Sequence, residues 1–392
     1  MTPASSPTAA RTIPRAEHVG SLLRPKRLLD AISEVSSFST DDARPTDASL
    51  AFAVADHEAL REIEDECIRE AVARQEAAGL DCVTDGEFRR VFFMGSFDQA
   101  VSGFSPNPDE KVVFRNDKGD VLEVEGRPIV SERLEKIASP GAIEAEFLAG
   151  VTERPVKVTF PAASSIAIPS MFRPGITDKH YSSFEELAGH VLQILRELID
   201  DAIAAGATYV QLDYPAYPLI ADPNFSAQLE AMGMNPQTVL QGAVMADTMI
   251  VQGLPDHVRT AIHLCRGNLR GMYMVSGSLD PVAEAFFSLP YDSFLVEWDD
   301  TSRMGDYSAL RHVPKGPVVG MGIVSTKDPE LESEDVLLQH LEEAGRFLDT
   351  EQLALCPQCG FASEAGGNDV DEDTQWRKLE LVATVADRVW GR

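Results

Sequence analysis

The feature that most restricts this chain is alternation. Short β-like runs recur along it, most of them separated by stretches with helical spacing. They fall at 18–21 (HVGS, the weakest), 81–87 (DCVTDGE), 155–163 (PVKVTFPAA) and 209–215 (YVQLDYP). Four more follow at 259–267 (RTAIHLCRG), 293–299 (SFLVEWD), 317–325 (PVVGMGIVS) and 352–360 (QLALCPQCG). Amphipathic segments at about 48–78, 183–205, 236–253, 281–288, 333–348 and 371–389 lie between or after them. Strands alternating with helices form parallel βαβ units, and eight such units close into a barrel. Runs such as VKVTF and FLVEW suit strands buried on both faces. The expected fold class is therefore α/β, a (β/α)8 TIM barrel.

One segment departs from the alternation. Residues 111–130 (KVVFRNDKGDVLEVEGRPIV) hold two β-rich halves around the turn signal Asn116-Asp117-Lys118-Gly119. This predicts a β-hairpin, about 108–132, inserted between the second and third strands. A Ser-, Thr-, Pro- and Ala-rich stretch, 1–11, reads as a flexible leader, and 12–392 as one catalytic barrel; 392 residues is within the range of a single such unit.

The formal net charge is −29, from 63 acidic and 34 basic residues. That field repels nucleic acid and anionic lipid, which excludes both as partners. No apolar run reaches the roughly 18 residues of a membrane span, and no secretory signal is evident, so the expected location is cytoplasmic. A homo-oligomer stays open. Five cysteines, Cys67, Cys82, Cys265, Cys356 and Cys359, are too few and odd in number for a disulfide framework. Cys67 and Cys82 read as plain core residues.

In a closed α/β barrel, catalytic groups gather at the C-terminal ends of the strands. The polar residues at those ends are Glu87, Asp213, His263, Cys265, Glu297 and Cys359, from five different runs. His263-Leu264-Cys265 is the sharpest feature, because residues i and i+2 of a strand face the same way. An imidazole and a thiolate then converge, and Cys359 adds a second sulfur from the last run. Zinc prefers such nitrogen and sulfur donors, with one position kept exchangeable in catalytic sites. Glu297 or Cys356 stands as a further ligand. Cys356-Pro357-Gln358-Cys359 has the spacing of a metal knuckle but lacks the second pair of a structural site.

The segments HVGSLLRP (18–25), VTDGEFRR (83–90), VQLDYPAY (210–217), HLC (263–265), VEWDD (296–300), GIVSTKDPELES (322–333) and CPQCGFAS (356–363) resemble the cobalamin-independent methionine synthase superfamily. More closely, they resemble its short single-barrel members. The resemblance implies a Zn2+ ion held by His263, Cys265, Glu297 and Cys359. It also implies that Glu87 and Asp213 grip the ammonium group of an amino acid thiol, with the backbone around Gly20 and Ser21 at its carboxylate. His18 and Tyr214 are candidate pocket residues; Asp299, Asp300 and Arg303 are candidates for orienting the ligands.

The activity implied is a zinc-dependent thiol alkyltransferase that binds a small thiol as the zinc thiolate and transfers a methyl group to it. The partners are then a homocysteine-type thiol and an alkyl donor: a methyl-folate, a methylcorrinoid or an epoxide. The superfamily also contains epoxyalkane:coenzyme M transferases, whose acceptor carries a sulfonate and calls for arginines such as Arg24, Arg89 or Arg90. The seventh run offers Ser325, Thr326 and Lys327 where longer methionine synthases carry a donor-activating His, so the donor stays open. A non-catalytic thiol- or metal-binding barrel is the remaining alternative.

Overall fold

The computed structural model describes residues 13–35, 58–231, 233–298 and 305–392. The expected leader, the start of the helical stretch predicted over 48–78, and Asp299, Asp300 and Arg303 lie outside the described residues. The strands, in chain order, are β1 (Val101–Ser105), β2 (Lys111–Arg115), β3 (Val121–Glu125), β4 (Ile129–Lys136) and β5 (Lys157–Pro161). Then follow β6 (Tyr209–Asp213), β7 (Arg259–Leu264), β8 (Ser293–Glu297), β9 (Val318–Val324) and β10 (Leu353–Pro357).

Strands β5 to β10 form one parallel sheet in simple sequential order. Two shorter staves complete the ring: Ala16 bridges Leu355 at one edge and Val83 bridges Val156 at the other, both in parallel. Asp81 N donates to Ala16 O at 2.9 Å, which joins the two staves to each other. Eight staves in a ring make a (β/α)8 barrel.

The first stave sits upstream of the run predicted at 18–21. Ladder bonds run through Arg15 and Glu17 to Leu355. The next three carbonyls are instead taken by side chains: His18 O by Lys157 Nζ, Val19 O by Gln211 Nε2 and Gly20 O by Thr84 Oγ1. Buried backbone groups need partners, but the partners need not be another strand.

Helices cover the outside. Val210 and Leu212 of β6, Ile262 and Leu264 of β7, and Phe294 and Val296 of β8 join the large outer core, whereas Tyr209 and Ala261 cluster with Cys82 on the other side. Period-2 alternation therefore separates an apolar exterior face from an interior carrying Lys157, Thr159, Gln211, Asp213, His263 and Glu297, all buried. The helix starts are chemically marked. Ser183, Ser333 and Asp371 cap helices Phe184–Ala204, Glu334–Ala344 and Glu372–Trp390 by accepting from the N–H three residues on.

Between the second stave and β5 the chain forms two antiparallel ribbons. The predicted hairpin is β2–β3, its turn held by Asn116 Oδ1, which accepts from Lys118 N and Asp120 N. Flanking it in the chain, β1 pairs with β4, bulged at Gly103 (φ 105°), so the insertion is longer than the sequence predicts. The hairpin reaches across to the segment after β7: Arg115 and Tyr273 exchange both backbone hydrogen bonds at 2.8 Å.

Candidate active site

His263 is the penultimate residue of β7, on its interior face, and Cys265 follows just past the strand's end. Cys359 lies just beyond β10. One donor atom from each of the three lies within 4.8 Å of the others, and all three residues are buried. His263 Nδ1 is 3.1 Å from Leu295 O. A carbonyl only accepts, so Nδ1 carries the hydrogen and the lone pair falls on Nε2. That Nε2 is buried without a hydrogen-bond partner. An orphaned imidazole nitrogen beside two sulfurs is a donor set that fits a thiophilic divalent ion such as zinc.

The sulfurs are not equivalent. Cys359 is held well below the usual thiol range by the hydrogen bond from Cys265, with His263 and Lys327 acting in the same direction. Cys265 is pushed up by that same bond and by burial. Cys356 is not part of the cluster. Its Sγ packs against Gly320, where an added Cβ would come within 3.2 Å, and burial pushes its thiol up. The CxxC spacing puts one cysteine on the strand and the other beyond its end.

Glu297 is fully buried and stands outside the three-residue group. Its Oε1 pairs with Lys327 Nζ and its Oε2 accepts from Arg266 N at 2.9 Å. Lys327 thus neutralises the acid that the motif offers as a fourth ligand.

Two further acids face the same mouth. Asp213, at the end of β6, is the register partner of His263. Burial, reinforced by Glu87, pushes its carboxyl up to about 7 despite the opposing effect of His263. Its Oδ1 accepts from Gln211 Nε2 at 2.7 Å. Glu87 accepts from Thr159 Oγ1 at 2.8 Å through Oε1, while Oε2 is buried without a partner; burial raises this carboxyl too. Arg90 stands 3.9 Å from Glu87 but forms its close pair with Glu144.

The backbone here is strained. Glu87 and Tyr214 both have φ 59°, a left-handed conformation rarely adopted by bulky residues. Gly86 (φ 73°) precedes Glu87, so the Asp-Gly-Glu motif turns sharply and throws the carboxylate inward. Gly20 is required by the same acid, since a Cβ there would lie 2.7 Å from Glu87 Oε1. Ser21 accepts from Ala362 N and so ties the first loop to the segment after Cys359. Tyr214 stacks edge-on with Phe93 and reaches Met274 Sδ at 3.5 Å, an apolar wall on the insertion side.

Three residues expected at the substrate take other places. His18 turns to Gln75 of helix Glu58–Ala77, 2.8 Å from its Oε1. Arg24 donates to the carbonyls of Glu87, Arg90 and Ala362 and sews loops together. Arg89 leaves the mouth, pairing with Glu64 and Asp65. In each case a buried polar group finds its partner within the fold, which a motif cannot reveal. Sequence reasoning passed over Thr159, Gln211 and Lys157; their signal was polar residues at alternate positions of otherwise apolar strands.

Comparison with known proteins agrees with this architecture. Residues 33–374 match the family model described as cobalamin-independent synthase, catalytic domain. The uncharacterized protein YxjH of Bacillus subtilis (strain 168) is 32% identical over 382 residues, covering 96% of this chain and 94% of that protein. The methionine synthase of Pyrococcus abyssi is 24% identical over 299 residues, 74% of each chain. Among solved structures, a B12-independent methionine synthase from Shewanella sp. W3-18-1, in complex with selenomethionine, superposes with a TM-score of 0.69 at 20% identity, covering 96% of this chain and 97% of that one. The chain belongs to the cobalamin-independent synthase catalytic-domain family.

Proposed function

We propose that this chain is a zinc-dependent methyltransferase whose acceptor is homocysteine or a closely similar amino thiol. The observation that carries the reading is the buried His263, Cys265 and Cys359 cluster with its unpartnered imidazole nitrogen, set beside two buried carboxylates. The family match supports methyl transfer to a homocysteine-type thiol. The selenomethionine complex of the Shewanella protein is compatible with an amino acid seat in such a barrel.

His263, Cys265 and Cys359 would hold the ion, with Glu297 the further ligand that the motif suggests. Zinc when bound supplies the Lewis acidity that ionises a thiol, whose own pKa is about 8.5, at neutral pH. Glu87 and Asp213 receive the acceptor's ammonium group. Thr159 and Gln211 each occupy one oxygen of these acids and leave the other for substrate. Gly20 keeps space open beside Glu87. Phe93, Tyr214 and Met274 keep water from the reacting sulfur, which strengthens every charge interaction in the pocket. Holding thiol and methyl donor together supplies much of the remaining acceleration.

The coenzyme M reading weakens at its arginines. Arg24, Arg89 and Arg90 are all committed to internal partners, and two acids at the mouth would repel a sulfonate. The test is a panel of homocysteine, coenzyme M and glutathione against methyl-folate, methylcobalamin and short epoxides, with zinc measured on the same protein. We expect about one zinc per chain, lost in Cys265→Ser and Cys359→Ser, and methyl transfer to homocysteine alone. Coenzyme M turnover with an epoxide, or equal activity in a zinc-free protein, would overturn the proposal.

A further inference from the structure

Below the acids at the mouth, the barrel interior holds an ion pair that the reaction does not touch. Lys157, at the start of β5, is fully buried. Its ammonium donates to Glu17 Oε2 at 2.7 Å, to His18 O, and to Gln211 Oε1 at 3.0 Å. Three hydrogens meet three acceptors. Gln211 in turn donates through Nε2 to Val19 O and to Asp213 Oδ1, the latter at 2.7 Å.

This arrangement removes a freedom that a glutamine amide ordinarily has. Turned over, the amide would set its NH2 against the Lys157 ammonium and its oxygen against a carboxylate and a carbonyl, three repulsive contacts at once. In a low-dielectric interior such mismatches are costly. The charge on Lys157, anchoring the amide oxygen, therefore acts together with the Val19 carbonyl to hold the NH2 end of Gln211 toward Asp213. The amide hydrogen in turn decides which oxygen of Asp213 is occupied and which is left for an incoming cation.

We propose that Lys157 is a positioning residue that acts through Gln211 on Asp213, and so sets the preference of the pocket for thiols bearing an ammonium group. The inference rests on the amino thiol reading above and adds residues that never meet substrate. It differs from a purely structural role for the Glu17–Lys157 pair, which would lower stability without changing which thiol binds.

The experiment measures binding by calorimetry on the zinc-loaded protein. Homocysteine is compared with 4-mercaptobutyrate, the same thiol acid without the amine. Because Lys157→Met alone leaves Glu17 buried without its cation, the substitution is made together with Glu17→Gln; Gln211→Leu tests the middle link separately. Zinc content and circular dichroism are followed throughout. We expect the homocysteine preference to fall about tenfold in either variant, with 4-mercaptobutyrate affinity unchanged. Combining all three substitutions should cost no more preference than Gln211→Leu alone, since both changes break one chain of contacts. A preference that survives in the folded variants, or effects that add in the combination, overturns the relay alone. A wild-type protein that binds both thiols equally overturns the amino thiol reading, and the relay with it.

Discussion

Glu87 and Asp213 are acids placed where burial works against ionisation, yet neither has a close cation to itself. An arriving ammonium group supplies that cation, so binding energy comes from relieving an existing electrostatic deficit. Glu87→Gln or Asp213→Asn should each raise KM for homocysteine by roughly tenfold to a hundredfold and leave zinc content unchanged. Steady-state kinetics on metal-quantified protein checks this, and an unchanged KM would remove the acids from substrate binding. His18 makes a different kind of prediction. Burial pulls its imidazole from 6.5 down to about 3. The unfolded chain then takes up a proton near pH 6.5 that the folded chain refuses until about pH 3. Stability contributed by the neutral ring is therefore complete above 6.5 and lost as pH falls through that window. His18→Gln should flatten the decline, by up to about 1.4 kcal/mol per pH unit, in urea titrations at successive pH values. Parallel curves for the two proteins would contradict it.

At the level of elements, local signals and long-range contacts divide the molecule. Asp371 accepts from Thr374 N at 2.7 Å and starts the helix Glu372–Trp390, which buries Leu379, Val382 and Val385 against the barrel. Asp371→Ala should cost about 1 kcal/mol, seen as a lower urea midpoint with unchanged slope. Such caps, the period of the strands and the Asn116–Gly119 turn are written locally, which is why six staves and the inner hairpin were legible to within a few residues. The ribbon of β1 and β4 was not. Gly103 bulges one strand, and the other, IVSERLEK, is charged where it faces solvent, so neither carries a clean alternation. The first stave was placed too far along the chain: its ladder runs through Arg15 and Glu17, and the carbonyls of His18, Val19 and Gly20 instead bond side chains from β5, β6 and the second stave. At the site, His263, Cys265 and Cys359 were readable because soft donors at strand ends have few other uses. Arg24, Arg89 and His18 were not, because their partners lie on other elements, 24 residues or more away in sequence.

Over the whole molecule, 63 acidic and 34 basic residues give a net charge of −29, and this field acts on whatever approaches the mouth. A methyl-folate donor is anionic through its glutamate tail and must approach against the field, whereas a short epoxide is neutral. Screening shortens the reach of exposed charge from about 30 Å at 0.01 M salt to about 8 Å at 0.15 M. Encounter with an anionic donor should therefore quicken as salt is added, the reverse of the usual decline for oppositely charged partners. The internal groups differ in kind: Lys157, Glu17 and Arg90 are buried, and salt screens such pairs little, so the pocket itself should be nearly unaffected. We expect kcat/KM for methyl-folate to rise severalfold between about 0.01 and 0.15 M NaCl, while kcat and the affinity for homocysteine stay level. A donor without charge should show a flat profile over the same range. If kcat/KM for an active anionic donor falls with salt, a local basic channel outweighs the global field, and the entry path must be sought among the exposed lysines and arginines instead.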